Sequence, residues 1–276
     1  MTTNSLKYTR SMEEFADILA VVRQARTLFL KGRNAVACVS SKQGKCNYVT
    51  NMDLDIQSYL CEQLKRLYPA AKFIAEENNG TSEKFNCHDE FFIIDPIDGT
   101  TNCLHDYASC AVCVAYVLGG ETLFGAVYSL ADDELFYAAA GCGAYLNGKS
   151  IHVSGNTFER SLVCIGTASH DYDLLNNTFL IARDMCQAAE DVRRSGSAAL
   201  DICNVACGRA EVFYEMRLFS WDYAAAALIL QEAGGWVSDF YGSSLNYENI
   251  TSLLATNRIV HPRAQEIILR HWTRGE

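Results

Sequence analysis

Three points of this chain carry acids in settings that suit chemistry better than solvation: Glu76-Glu77, Asp95 with Asp98, and Asp222. The densest is Asp95-Pro96-Ile97-Asp98-Gly99-Thr100, which follows the apolar run Phe91-Phe92-Ile93-Ile94. Such a run reads as a buried strand, and polar residues at its carboxyl end stand at the mouth of a sheet. Asp95 and Asp98 offer hard oxygen ligands three residues apart. Pro96 stiffens the turn that could bring both, with the Ile97 carbonyl, round one hard cation. Gly99 lets the backbone approach a ligand closely, and the Gly99 and Thr100 amides then face an anion. An ordinary exposed turn uses the same residue types, so the remaining acids have to decide between the two.

Glu76-Glu77 ends a second short strand-like run, Lys72-Phe73-Ile74-Ala75, and again presents carboxylates at a strand end, although a solvated loop has the same composition. Asp222 opens Tyr223-Ala224-Ala225-Ala226-Ala227-Leu228-Ile229-Leu230, an apolar stretch stopped by Gly234-Gly235. It reads as the N-cap or first-turn acid of a helix. A helix so apolar lies inside the fold, where an acid at its end needs a cation or hydrogen bonds.

The elements that must hold these acids fall into two halves. Ser11 with Glu14 marks a capping box, and the apolar pattern Phe15, Ile18, Leu19, Val22, Phe29 predicts a helix ending at Gly32. A second helix is predicted from about Thr50 to Leu67, closed by Pro69, with Asp53 in its first turn. After the Phe91 run come three strands, over 109–118, 122–130 and 134–140, whose short turns predict an antiparallel meander. From about Ile151 strands and helices alternate: strands at 162–166, 191–194, 212–215 and 236–240, helices at 174–189, 198–206 and 222–233, and a last helix at 262–272. Alternation favours a second sheet with parallel segments. The predicted fold class is mixed α/β, a layered αβαβα sandwich. Residues 1–150 are expected to form an antiparallel sheet with helices as the metal- and phosphate-binding half, and residues 151–276 an α/β half that completes the site. With no repeats or linker, the two halves are expected to pack as one body.

Composition supports a packed globule: 49% of the 276 residues are hydrophobic and 20% charged. A net charge of −10 repels nucleic acid on average, and the basic stretch from Lys31 to Lys45 is short and interrupted. An acidic protein accommodates a phosphorylated substrate only where bound cations invert the local field, which makes a metal site the first thing to seek. No stretch approaches the roughly 20 apolar residues that span a membrane, and no signal peptide opens the chain, which predicts a cytoplasmic protein. Its twelve cysteines are scattered through apolar segments and read as reduced core thiols. Cys110 and Cys113 have the spacing of a zinc pair, but no second pair accompanies them at ligand spacing.

Taken together the sequence resembles the inositol monophosphatases, within the wider Mg²⁺-dependent, lithium-sensitive sugar-phosphatase superfamily. The resemblance is carried by Val49-Thr50-Asn51-Met52-Asp53, Glu76-Glu77, Asp95 through Asn102, Arg193-Arg194-Ser195-Gly196-Ser197-Ala198-Ala199, Tyr214-Glu215-Met216, and Trp221-Asp222 through Gly235. It implies that Glu76, Asp95 and the Ile97 carbonyl hold one Mg²⁺, and that Asp95, Asp98 and Asp222 hold a second. A third, weaker ion leans on Glu76. Thr100, hydrogen-bonded to Asp53, is then the group that orients and helps deprotonate the attacking water. Asp98, Gly99, Thr100, Ala198 through its amide, Glu215 and Asp222 become the substrate contacts. Thr101 following Gly99-Thr100, where nucleotide branches place lysine, favours the inositol branch, and His105 reads as a structural hydrogen-bonder. Cys103, Ala108 and Ala75 depart from the family's usual residues without removing a ligand.

The resemblance further implies a homodimer, inhibition by Li⁺, and hydrolysis of a small phosphorylated polyol, inositol monophosphate first; charge and hydropathy predict no nucleic-acid or membrane partner. Fructose 1,6-bisphosphate, histidinol phosphate and a 3′-phosphonucleotide are rival substrates. The rival from another class is a regulatory binding protein of the bacterial transcription machinery.

Overall fold

The computed structural model describes residues 11–32, 39–41, 48–77, 89–168 and 171–272. Most of the basic stretch from Lys31 to Lys45 lies outside these residues. The first helix opens where the capping signature predicts: the Ser11 amide donates to Glu14 Oε1 at 3.1 Å, and a 3₁₀ turn at Met12–Phe15 runs into α1 (Ala16–Gly32). Two short strands, β1 (Val39–Ser41) and β2 (Tyr48–Thr50), pair antiparallel and lead into α2 (Asn51–Leu67). Thr50 caps α2, its hydroxyl accepting from the Met52 and Asp53 amides.

A seven-stranded sheet follows: β3 (Lys72–Ala75), β4 (Glu90–Asp98), then, after the short helix α3 (Thr100–Leu104), β5 (Ala111–Leu118), β6 (Glu121–Ser129), β7 (Glu134–Ala139), β8 (Ala144–Leu146) and β9 (Lys149–Ile151). Its strands are ordered as in the sequence. The predicted meander is present, and all pairs are antiparallel except the edge pair β3–β4. The β8–β9 hairpin turns on Asn147-Gly148, both at positive φ, a strong hairpin signal that flanking runs of three residues left unread.

Side-chain alternation along this sheet defines its two faces. Phe92 and Ile94 pack with Ile18, Val22, Ile56 and Leu60 of α1 and α2, whereas Phe91 and Ile93 face the other way. The same rule separates the candidate zinc pair: Cys110 joins the α1/α2 core and Cys113 the opposite one, so the two cannot chelate one ion.

The second half contributes β10 (Leu162–Ile165), α4 (Tyr172–Ala188), β11 (Asp191–Arg193), α5 (Ala198–Ala206), β12 (Val212–Leu218), α6 (Ser220–Glu232), β13 (Trp236–Ser238), β14 (Thr251–Thr256) and α7 (His261–Leu269). Its five strands are ordered β11-β10-β12-β14-β13. The first three run parallel, as alternation predicts, while β14 pairs antiparallel with both β12 and β13. No pattern in the sequence marks Thr251–Thr256 as a strand, and the strand predicted over 236–240 stops at Ser238.

Helices α5 and α6 lie between the two sheets, and α4 and α7 cover the far face of the smaller one. The layers therefore run α1/α2, sheet, α5/α6, sheet, α4/α7, an αβαβα sandwich. An apolar circumference suits α6 to this middle layer, and Gly125 admits it: a Cβ there would come within 2.5 Å of the Ala225 carbonyl oxygen.

Candidate active site

The path of β4 explains how Asp95 and Asp98 come to act together. Residues three apart on a regular strand point to opposite faces. Here Asp95 pairs with Cys113 and Asp98 with Ala111, so β4 advances three residues while β5 advances two. That extra residue is a β-bulge, and it turns Asp98 to the side that Asp95 faces. Pro96 sits within the bulge, where a missing N–H is tolerated. The Ile97 amide donates to Asp95 Oδ1 at 3.0 Å and keeps the turn closed. Gly99 follows at φ +89, and a Cβ there would lie 2.8 Å from the Ser109 carbonyl oxygen, so no larger residue fits.

Two helix N-termini complete the cluster. Ser197 caps α5, its hydroxyl donates to Asp98 Oδ2 at 2.5 Å, and the Ala199 amide donates to the same oxygen at 2.8 Å. Asp222, in the first turn of α6, accepts from the Phe219 amide at 2.7 Å. Carboxylate oxygens of Asp95, Asp98 and Asp222 lie within 4.8 Å of one another. Burial, reinforced by the charges of Glu76, Asp98 and Asp222, raises the Asp95 carboxyl well above its ordinary range. Burial also lifts Asp98 to about 6 against the downward pull of its Ser197 and Ala199 bonds. Asp222 is raised well above its ordinary value by burial, then by Asp98 and Glu76.

Glu76, expected as a ligand, lines the same cavity at the end of β3 but stands outside the tight group of three, acting on it through charge and a bond to Asp95. Its backbone is fixed by donation from its amide to the Ile94 carbonyl at 3.2 Å. Thr100 and Asp53 meet as expected: Thr100 Oγ1 lies 3.2 Å from Asp53 Oδ1 and 3.0 Å from the Ile97 carbonyl oxygen. Asp53 is fully buried, and burial raises its carboxyl despite the bonds from Thr50. Ala198, the first residue of α5, lines the cavity, and its amide faces the Asp98 carboxyl, a partner the sequence did not predict.

One cavity of about 580 Å³, with Asp53 buried outside its wall, is lined by Glu76, Asp95, Asp98, Thr100, Ser197, Ala198 and Asp222. Glu215 reaches it from β12, with Oε1 accepting from the Ala168 amide at 2.9 Å. Gly166 makes room, since a Cβ there would fall 2.1 Å from the Glu215 carboxylate. Burial pushes Glu215 up to about 7. Further wall residues include Arg194, Asp201, Asp171, Arg217 and Phe219, to which the sequence assigns no role at the site. Arg217 Nη1 is paired with Asp171 Oδ2 at 2.7 Å, and Phe219 stacks on Trp221 with centroids 4.7 Å apart. Asp201, which burial raises to about 7, did carry a signal, as the single acid of the apolar helix at 198–206. Arg217 and Phe219 carried none beyond their position after Glu215.

The inositol monophosphatase family profile matches residues 9–273. Inositol monophosphatase 2 of Solanum lycopersicum is 37% identical over 242 residues, 85% of this chain and 91% of that protein. The Nus factor SuhB of Pseudomonas aeruginosa is 36% identical over 230 residues, 82% of this chain and 84% of that protein. Among solved structures, a Thermotoga maritima IMPase superposes with a TM-score of 0.85 at 31% identity, covering 94% of this chain and 98% of that one. Similarity at this level over nearly the whole length shows that the chain belongs to the inositol monophosphatase family and is a phosphatase hydrolase.

Proposed function

We propose that this chain hydrolyses a small phosphorylated polyol, myo-inositol monophosphate first, to the free alcohol and inorganic phosphate. One observation carries the proposal: three carboxylates gather within 4.8 Å around one cavity, and among the described residues no lysine or arginine pairs with any of them. Buried like charges of this kind need a cation, and an all-oxygen donor set fits Mg²⁺. Asp95, Asp98 and Asp222, with Glu76 and the Ile97 carbonyl, are the groups that would hold two to three ions. Bound there, Mg²⁺ supplies acidified water and charge neutralisation for the phosphoryl oxygens and the departing alcohol.

The chain's own residues do the remainder. When the Thr100 hydroxyl donates to Asp53 Oδ1, its lone pairs are left to accept from the attacking water, and Asp53 is the proton acceptor behind it. The Gly99 and Thr100 amides hold phosphate oxygens, while Glu215 takes hydroxyls of the alcohol and the Ala198 amide, turned to Asp98, helps hold that carboxylate in place. Inhibition by Li⁺, a homodimer and a cytoplasmic location go with this reading. The test is phosphate release from inositol 1-phosphate, fructose 1,6-bisphosphate and 3′-phosphoadenosine 5′-phosphate, each with and without Mg²⁺. Release that needs Mg²⁺ and is fastest from inositol 1-phosphate supports the proposal; a faster rival keeps the hydrolysis and overturns the substrate.

The similarity to a Nus factor favours a second reading, a regulatory binding protein of the bacterial transcription machinery. A stoichiometric partner captured equally by wild type and Asp95→Asn, with no phosphate release from any substrate, would favour it.

A further inference from the structure

Thr50 is a buried hydroxyl whose hydrogen-bonding capacity is wholly committed. Its Oγ1 accepts from the Met52 amide at 3.2 Å and the Asp53 amide at 3.3 Å, the first turn of α2. A hydroxyl has two lone pairs and one proton. With both lone pairs facing the helix amides, the proton has one direction left, and there it meets Asp53 Oδ2. That same oxygen takes the Thr50 amide at 2.8 Å. Two donors from one residue therefore saturate Oδ2 and leave Oδ1 to Thr100.

Thr100 faces a choice that makes this matter. Its single proton has two acceptors in reach, Asp53 Oδ1 and the Ile97 carbonyl oxygen at 3.0 Å. It goes to Asp53 only if that carboxylate stays charged and keeps Oδ1 turned toward it. A carboxylate at zero exposure is disfavoured unless donors support it, and Thr50 gives two of those donors.

We propose that Thr50 is a positioning residue for the reaction: its hydroxyl and amide lock the Asp53 carboxylate so that Thr100 donates to Asp53 and keeps its lone pairs for the attacking water. The inference rests on the proposed function, but the geometry it asserts can be examined without turnover. It also separates two roles of one side chain, since capping α2 needs only an acceptor, whereas locking Asp53 needs the proton.

Three substitutions divide those roles. Thr50→Ser keeps both; Thr50→Val and Thr50→Gly lose both the acceptor and the proton, but glycine is tolerated at an N-cap, so Thr50→Gly removes the lock on Asp53 at little cost to the helix. Kinetics on inositol 1-phosphate are read beside melting midpoints, Mg²⁺ affinity by calorimetry, and a crystal structure of Thr50→Gly. The expected result is Thr50→Ser within about threefold of wild type, and Thr50→Gly and Thr50→Val at least about tenfold down in kcat with KM within about twofold. Mg²⁺ affinity should be unchanged in all three. In crystals of Thr50→Gly, Asp53 should turn so that Oδ1 no longer reaches Thr100. A folded Thr50→Gly with wild-type kcat, or with the Asp53–Thr100 contact intact, overturns the inference. If wild type releases no phosphate from any substrate, the proposed function fails, and the crystal geometry alone still decides the role of Thr50.

Discussion

Asp95, Asp98 and Asp222 on one part of the cavity wall are met by backbone amides and the Ser197 hydroxyl, with no cationic side chain paired to them among the described residues. On the β12 part of the same cavity, charge is answered locally: Arg217 by Asp171, and Glu215 by the Ala168 amide with Arg194 nearby. In the proposed function the first region is completed by cations, and the second, whose charges are already answered, reads the substrate. On that reading, the difference divides reaction energy from specificity. Substitutions in the acid cluster should act on kcat and cation dependence, and those on β12 on KM and substrate choice.

The largest effect belongs to the cluster. Asp95→Asn or Asp222→Asn should lower kcat at least about a thousandfold in steady-state assays, because each removes charge from the cation clamp. The same change should raise the melting midpoint of protein stripped with EDTA, since it relieves repulsion between buried like charges. A large loss of activity with a lowered metal-free midpoint would instead assign the residue to structure.

The pH dependence of metal-free stability comes next. Asp98 is raised from 3.8 to about 6 in the fold, so the folded state binds the proton more tightly than the unfolded one. Its contribution is fully present below pH 3.8 and is lost as pH rises through about 6. Denaturant midpoints measured with EDTA should fall across that window, and saturating Mg²⁺ should flatten the slope. On the β12 wall, Glu215→Gln should raise KM about tenfold while changing kcat less than threefold, as loss of uniform binding does. The smallest effect is expected for Arg217→Ala. Its ion pair with Asp171 is substantially exposed, so stability should change by less than about 1 kcal/mol and KM by at most about threefold.

These two regions were unequally legible in the sequence. Asp95 and Asp98 announce themselves because an apolar strand ends on them, and Asp222 because an apolar helix begins on it. What the sequence does not display is the bulge between Asp95 and Asp98, without which spacing by three puts the two acids on opposite faces. It displays the β12 wall least. Arg194, Asp201 and Arg217 come from different elements and converge only when the second sheet closes on α5, and their residue types are common at any surface. The same limit applies to the fold. Alternation revealed β10, β11 and β12, but β14 is a six-residue strand inserted from late in the chain between β12 and β13, and no local pattern marks its neighbours.

The cation site is the central claim, and it is tested most directly by diffraction from crystals soaked in Mn²⁺ as a stand-in for Mg²⁺, using its anomalous signal. The account predicts anomalous peaks bounded by Asp95, Asp98 and Asp222 in wild type and their loss in Asp95→Asn. Crystals of active wild-type protein with no peak among these three carboxylates, or a peak that survives Asp95→Asn unchanged, would contradict it.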